Sequence, residues 1–311
     1  MYKAPILLLV FNRPTLTKRV FDCIRKYRPN KLYVSADGPR FNVTDDLELC
    51  AKTLEIFNQI DWECELITNF SEFNKGCRVA VYEGISWFFQ HEEMGIILED
   101  DILPEPAFFE FCSKALYFYY EYQSVGIISG MNFSDSKFSG DQILTCRFSN
   151  YAFIWGWATW KRTWDLYSPD LKDWDGEDIN FLKHVRYINS RLINTWKYLF
   201  FLIKFENYNT WDYQLNYLLF KFRLINVVPS HSLIDNIGFG NNSTHTRESK
   251  PKWLKPVKTN FSEIVFNLNF EDLIENKHFT SKVFADNLIN NIKFSLKQVV
   301  LFFVRTIIFK K

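Results

Sequence analysis

Along the first 130 residues, short apolar runs alternate with longer stretches of helical spacing. Ile6–Val10 is unbroken apolar sequence, and Pro14 then opens a segment in which Leu16, Val20, Ile24 and Tyr27 fall on one helical face. Lys31–Ala36 predicts a second strand, closed by Asp37-Gly38-Pro39. Residues 44–60 predict a second helix, with Thr44 as its cap and Asp45 and Asp46 at its positive end. Residues 65–68, 95–98 and Val125–Ser129 predict further strands, and 75–91 and 106–122 the helices between them. Strands that are apolar throughout and separated by helices build βαβ units. The expected class is therefore α/β, a mostly parallel sheet flanked by helices.

The second half is less regular. Residues 151–164 (YAFIWGWATWKRTW) are dense in aromatics and end in a helix, and 210–223 predict another, with Trp211, Leu215, Leu218, Leu219 and Phe222 as its buried stripe. A strand at 224–228 leads into a polar loop, 229–246, that holds Gly238 and Gly240. With no repeat and no low-complexity linker, residues 1–250 read as one elaborated domain and 251–291 as an unassigned extension. The last stretch, 292–311, carries five basic residues and no acid. Ile292, Leu296, Val299, Val300, Phe303, Val304 and Ile307 line one side of it as a basic amphipathic helix. It suits an anionic membrane surface, and equally a terminal helix docked on this protein or on a partner.

Composition narrows the classes. Lys and Arg number 37 against 36 Asp and Glu, a formal charge of +1, which speaks against a nucleic-acid binder. The six cysteines stand at irregular spacing without a C-x-x-C, so they read as reduced thiols of a cytoplasmic protein rather than zinc ligands. The apolar run near the N-terminus is too short to span a bilayer and lacks a small-residue cleavage site.

Ligands of open parallel sheets bind beyond the carboxyl ends of the strands. Four candidate features fall there: Asn12-Arg13, Asp37-Gly38, the run from Asn74 to Arg78, and Glu99-Asp100-Asp101. Three adjacent carboxylates after an apolar strand repel one another and call for a cation. While the strand persists, Glu99 and Asp101 point to one face and Asp100 to the other. Hard oxygen donors select Mg²⁺ or Mn²⁺, and the basic Arg13, Lys75 and Arg78 at neighbouring strand ends suit a diphosphate. A solvated acidic turn and solvated surface bases are the bland alternatives. No GxGxxG or GxxxxGK[ST] occurs, which argues against dinucleotide cofactors and P-loop chemistry.

The segments APILLLVFNRPTLTKRVFDCIRKYRP, KLYVSADGPR and GIILEDDILPEPAFFEF together resemble nucleotide-sugar glycosyltransferases of the GT-A fold, the N-acetylglucosaminyltransferase I-type enzymes above all. Gly156-Trp157, Trp211-Asp212 and the loop 237–245 are similar as well, so that the likeness runs in order over residues 4–246. It implies a nucleotide-binding half at 1–130 and an acceptor and catalytic half at 131–250. It further implies that Asp101 binds the metal, that Asp100 faces the ribose and Glu99 the donor sugar, that Asp37 reads the base, and that Arg13 touches the nucleotide. Asp212 matches the catalytic base of inverting members, although Tyr213 follows it where those members often carry a second acid. On its own residues Asp212 reads equally as part of a box-like helix start with Asn209 as cap. Asp235, Asp178 and Glu206 are rival bases. His245, with His231 as its rival, is expected on a phosphate or the metal, because Gly238 and Gly240 let the loop close. Trp155, Trp157 and Trp160 suit either sugar stacking or the core.

These expectations describe a Mn²⁺- or Mg²⁺-dependent glycosyltransferase. It would move a sugar from a nucleotide-diphosphate donor, in all expectation a UDP-sugar, to a hydroxyl of a glycan or glycolipid with inversion. Surface polysaccharide synthesis on the cytoplasmic face of the membrane is the expected setting. The runners-up are a sugar-nucleotidyltransferase, which needs a glycine-rich loop after the first strand where Val10 to Thr15 has no glycine, and a non-catalytic nucleotide-sugar-binding module.

Overall fold

The computed structural model describes residues 3–133, 142–239 and 261–274. The chain lays down β1 (Ile6–Val10), α1 (Pro14–Tyr27), β2 (Lys31–Ala36), α2 (Asp46–Glu55), β3 (Glu65–Phe70), α3 (Cys77–His91), β4 (Met94–Glu99) and β5 (Ile102–Pro104). It continues through α4 (Pro106–Phe118), β6 (Val125–Ser129), β7 (Ile143–Ser149), β8 (Trp157–Trp160), α5 (Lys161–Trp164) and α6 (Ser190–Phe205). The last elements are α7 (Asp212–Phe222), β9 (Ile225–Pro229), β10 (Ile234–Asn236) and β11 (Glu263–Val265). The protein is α/β. Nine strands form one mostly parallel sheet in the order β11-β7-β9-β6-β8-β4-β1-β2-β3, and β5 and β10 make a small antiparallel ladder beside it.

Alternation along the central strands explains the layers. Ile6, Leu8 and Val10 of β1 face the cluster that includes Val20, Phe21 and Ile24 of α1 and Phe108, Phe109 and Phe111 of α4. Leu7 and Leu9 face the opposite cluster, with Val81, Ile85 and Phe88 of α3 and Leu215, Leu218 and Leu219 of α7. A strand buried on both faces must be apolar at every position, which is why β1 was legible as a bare run. A third, aromatic core lies in the second half, where Trp174, Trp196, Phe200, Tyr217 and Phe220 pack together.

From β1 the chain builds outward through β2 and β3 on one side, then returns to place β4 on the other side of β1. The sheet order therefore reverses between β1 and β4, and a crevice opens beyond their carboxyl ends. Antiparallel β8 is inserted between β4 and β6, pairing with both.

Several local expectations are corrected. The second helix begins at Asp46, not at Thr44, and passes at Ile56 into a 3-10 turn, Ile56–Gln59. Asp46, the first residue of that helix, turns inward and is 1% exposed. Lys75 precedes α3, which starts at Cys77, and Phe222 is exposed rather than part of the buried stripe. Helix α7 has Trp211 at its N-cap without a side-chain cap bond, so the box-like start from Asn209 is absent. The aromatic run at 151–164 hides β8, and α6 and β7 were not read at all. Residues 261–274, from the expected extension, add β11 to the sheet edge beside β7. The amphipathic tail 292–311 lies outside the described residues, among which no helix is long and apolar enough to cross a membrane. All six cysteines are free, and Cys50, Cys112 and Cys146 are buried.

Candidate functional site

The site grows from the strand ends at the reversal point. Strand parity carries Glu99 to the face covered by α3 and α7 and Asp100 to the face of α1. On the α1 side, Arg13 precedes the first helical turn and reaches across the crevice. Its Nη1 donates to Asp100 Oδ1 at 3.2 Å and to Asp101 Oδ2 at 2.9 Å. Asp100 also accepts from the Phe11 backbone N–H. Burial works against the Arg13 charge, but Asp100 and Asp101 more than offset it, and its pKa is raised.

On the other face, Glu99 is close enough to Asp101, Asp100, Asp212 and Arg13 to feel each of them. Burial first, then the three neighbouring acids, lifts its pKa well above the usual carboxylate range. Asp100 is lifted too, by burial. Cys77, the first residue of α3, sits among the same groups. Burial, then Glu99 and Asp212, pushes its thiol up to about 12, so it is a neutral thiol. Asp212 thus reaches the acidic tip from a helix more than a hundred residues further along the chain.

Asp212 is held in a defined turn. The Thr210 hydroxyl donates to Asp212 Oδ1. Gln214, fully buried, donates through Nε2 to Thr210 O at 2.7 Å and to Pro169 O at 3.1 Å. The buried Tyr167 hydroxyl donates to Trp211 O at 2.9 Å. The rival acids come from other elements. Asp235 is in β10 opposite Leu103, Glu206 closes α6, and Asp178 accepts from Asn180 N–H ahead of the 3-10 helix Asn180–His184.

The β10 segment lies over the acidic tip. Ile237 N–H donates to Asp101 O at 2.9 Å, and a Cβ built on Gly238 would stand 2.1 Å from Asp101 Oδ2. Only glycine permits this approach. The expected loop therefore does meet Asp101 at Gly238, while Gly240 and His245 lie outside the described residues. His231 is buried next to Ser230 and Phe261, within the body rather than on the tip.

Two of the expected nucleotide contacts have other occupations. Asp37 accepts from Gly38 N–H at 2.9 Å, Lys75 N–H at 2.8 Å, Gly76 N–H at 3.0 Å and Asn74 Nδ2 at 2.8 Å. Those four bonds fill the acceptor capacity of a carboxylate. Asp37 therefore fastens the β3–α3 turn to the end of β2 and is not a spare acceptor for a base. Burial nevertheless raises its pKa, with the three N–H groups acting against that. Arg78 donates to Asn207 Oδ1, Tyr208 O and Pro169 O, tying α3 to the loops that lead into α7. Lys75, ahead of α3, pairs with Glu83 on that helix. Trp157 and Trp160 are core residues, whereas Trp155 is only partly buried, its ring edge-on to Phe239.

Among the described residues no group of three or more His, Cys, Asp or Glu side chains is placed to hold a metal ion. The donor set nonetheless fits a hard cation. Asp101 offers oxygen only and is 19% exposed, and Arg13 occupies its Oδ2 as a positive counterpart. Asp101, Asp100 and Asp212 each bear on Glu99 here, with Arg13 paired to Asp100 and Asp101. Such an excess suits a divalent ion that keeps waters and takes one or two carboxylates.

Sequence reasoning found the acids and Arg13 because they stand at strand ends. Cys77 lies in the run from Asn74 to Arg78 at another strand end, whereas no sequence pattern singles out Thr210, whose hydroxyl matters only once α7 is placed.

No protein-family model matches the sequence, and no curated protein matches it. Solved structures match part of it at low similarity. HddC from Yersinia pseudotuberculosis complexed with GMP-PN is 5% identical, covering 51% of this chain and 77% of its own, with a TM-score of 0.28. The inositol-1-phosphate CTP transferase from T. maritima is 8% identical over 53% of this chain and 73% of its own, at 0.29. UDP-glucose pyrophosphorylase with UDP-glucose is 11% identical over 41% and 56%, at 0.25. None of the three is named a glycosyltransferase. Their names stand closer to the nucleotidyl-transfer alternative, and at these scores the likeness carries no argument about activity.

Proposed function

We propose that this protein is a transferase acting on a nucleotide-diphosphate sugar in the crevice between β1 and β4, and that the group it moves is the sugar. The observation that supports this best is that Asp212 acts on Glu99 together with Asp100 and Asp101, at the point where the sheet order reverses. A nucleotide diphosphate would lie along that crevice, its phosphates near Arg13. Asp101 would hold a Mn²⁺ or Mg²⁺ ion, which supplies positive charge against the diphosphate leaving group.

Asp212 is the first residue of α7, at the helix end where the backbone N–H groups face outward. It takes the proton of an acceptor hydroxyl as that oxygen attacks the anomeric carbon from the side opposite the diphosphate. The C–O bond to the diphosphate breaks as the new glycosidic bond forms, so the anomeric centre inverts. The neutral Cys77 thiol and Glu99 line the same floor. A glycan or glycolipid hydroxyl is the acceptor class, and the resemblance of the sequence to GT-A glycosyltransferases points the same way.

Nucleotidyl transfer is the second reading, since a carboxylate-bearing crevice at the sheet reversal suits a nucleoside triphosphate as well as a nucleotide sugar. Against it stands the segment after β1, Val10 to Thr15, which has no glycine and instead carries Arg13 into the carboxylates. One assay separates the two. Purified protein with Mn²⁺ is given a panel of nucleotide sugars and glycan acceptors, and separately sugar 1-phosphates with nucleoside triphosphates. Release of nucleoside diphosphate, lost by at least about 100-fold in Asp212→Asn and in Asp101→Asn, supports glycosyl transfer. Pyrophosphate release in the second mixture alone overturns it in favour of nucleotidyl transfer.

A further inference from the structure

We propose that Thr210 is a positioning residue for the base: its hydroxyl fixes the Asp212 carboxylate in the orientation that accepts the acceptor's proton. The proposal rests on the reading of Asp212 given above and names a residue that neither the resemblance nor the sequence pattern singles out.

Three observations converge on it. The Thr210 hydroxyl donates to Asp212 Oδ1, so one carboxylate oxygen is committed and the other is left to meet a substrate. The backbone that presents the hydroxyl is itself pinned. Thr210 N–H donates to Tyr208 O at 2.9 Å, and Thr210 O accepts from the buried Gln214 amide at 2.7 Å. On the far side of the carboxylate, Tyr167 fixes Trp211 through its carbonyl, and Trp211 packs face to face with the buried Trp157 at 6.1 Å. The turn 208–212 is thus held from the core, while the Thr210 hydroxyl is aimed at Asp212. A helix start needs no such arrangement: α7 has no side-chain cap bond, and the Thr210 hydroxyl serves the carboxylate instead of a backbone N–H.

A carboxylate that can rotate about χ2 spends much of its time out of line with the reacting hydroxyl, so losing the fixed oxygen acts on the chemical step. Substrate affinity should be spared, since Thr210 donates to a residue that receives a proton and is not one of the groups proposed to hold the nucleotide.

The test compares Thr210→Val, which keeps the shape without the hydroxyl, with Thr210→Ser, which keeps the hydroxyl. Steady-state transfer is measured with donor and acceptor varied in turn, alongside thermal unfolding of each variant and Asp212→Asn as reference. We expect kcat to fall at least about tenfold in Thr210→Val, the worth of a hydrogen bond to a charged group. Both KM values should stay within about twofold, and Thr210→Ser should recover most of the rate. If wild type is active and Asp212→Asn is not, yet Thr210→Val keeps its kcat, the assignment of Thr210 is overturned and the function stands. A fall in Thr210→Val that Thr210→Ser fails to reverse, or that arrives with a matching loss of unfolding temperature, also overturns it. A wild-type protein that transfers no sugar refutes the function and this assignment together.

Discussion

Substituting Asp46 by Asn should cost stability in a way that depends on pH. Asp46 is 1% exposed and accepts from Arg40 Nε at 2.6 Å, Arg40 Nη2 at 2.8 Å, the Arg40 backbone N–H at 3.1 Å and Asn12 Nδ2 at 2.7 Å. The Arg40 hydrogen bonds, against an opposing burial effect, bring its pKa from the ordinary 3.8 down to about 2. That depression corresponds to about 2.4 kcal/mol of preference for the charged form in the folded state. The Arg40 side chain is 50% exposed, so water screens part of the interaction, and we expect about 1.5 kcal/mol to be realised. The sign follows from linkage. Because the folded pKa is the lower one, the stabilisation is complete above about pH 4 and is lost as pH falls toward 2. Urea unfolding of both proteins should therefore show a gap of about 1.5 kcal/mol at neutral pH that closes on going from about pH 4 to pH 2. A gap of the same size at both ends, or none at neutrality, would refute the reasoning, because either result removes the charge from the account.

Two other substitutions probe the crevice directly. In Gly238→Ala the new methyl would sit 2.1 Å from Asp101 Oδ2 and 2.7 Å from its Cγ, forcing that carboxylate off Arg13. We expect a modest stability loss of about 1–3 kcal/mol and at least about tenfold weaker Mn²⁺ binding, read from the Mn²⁺ resonance signal; unchanged binding would show that Asp101 does not hold the ion. Asp37→Ala strips the partner from three backbone N–H groups and from Asn74, and should lower stability by about 2–4 kcal/mol in thermal unfolding. Full stability in that variant would restore the idea that Asp37 is free for a ligand.

The first half of the molecule was legible because its central strands are buried on both faces and so cannot hide. Ile6–Val10 and Val125–Ser129 are legible to the residue, since burial on both faces leaves runs that are apolar or, as at Ser129, satisfied by a buried hydrogen bond. Strand β7 escaped notice because it alternates Cys146 and Phe148 inward with Thr145 and Arg147 less buried, a weak signal beside uncharted sequence. Strand β8 was masked by its own tryptophans, which suit a helix as well as a strand until the sheet claims them. The site divides in the same way. Arg13 and the three acids follow buried strands, so their position was implied by their neighbours in sequence. Whether a charge is spare is a different question. Asp37 looked available and proved saturated, and Arg78 looked like a phosphate contact and proved a tether, because hydrogen-bond partners come from loops whose paths no local pattern records.

The short strand at Glu263–Val265 bears on how the protein could be shortened. It covers the outer margin of Ile143–Ser149, and the residues after it lay Phe266 and Phe270 against Tyr119, Phe148 and Phe118. A version ending at residue 250 would strip those rings of their cover and leave a row of unpaired amides and carbonyls along the sheet, a template on which copies could stack. Soluble material is better sought by trimming beyond Ile274 than by cutting where the resemblance to known enzymes runs out.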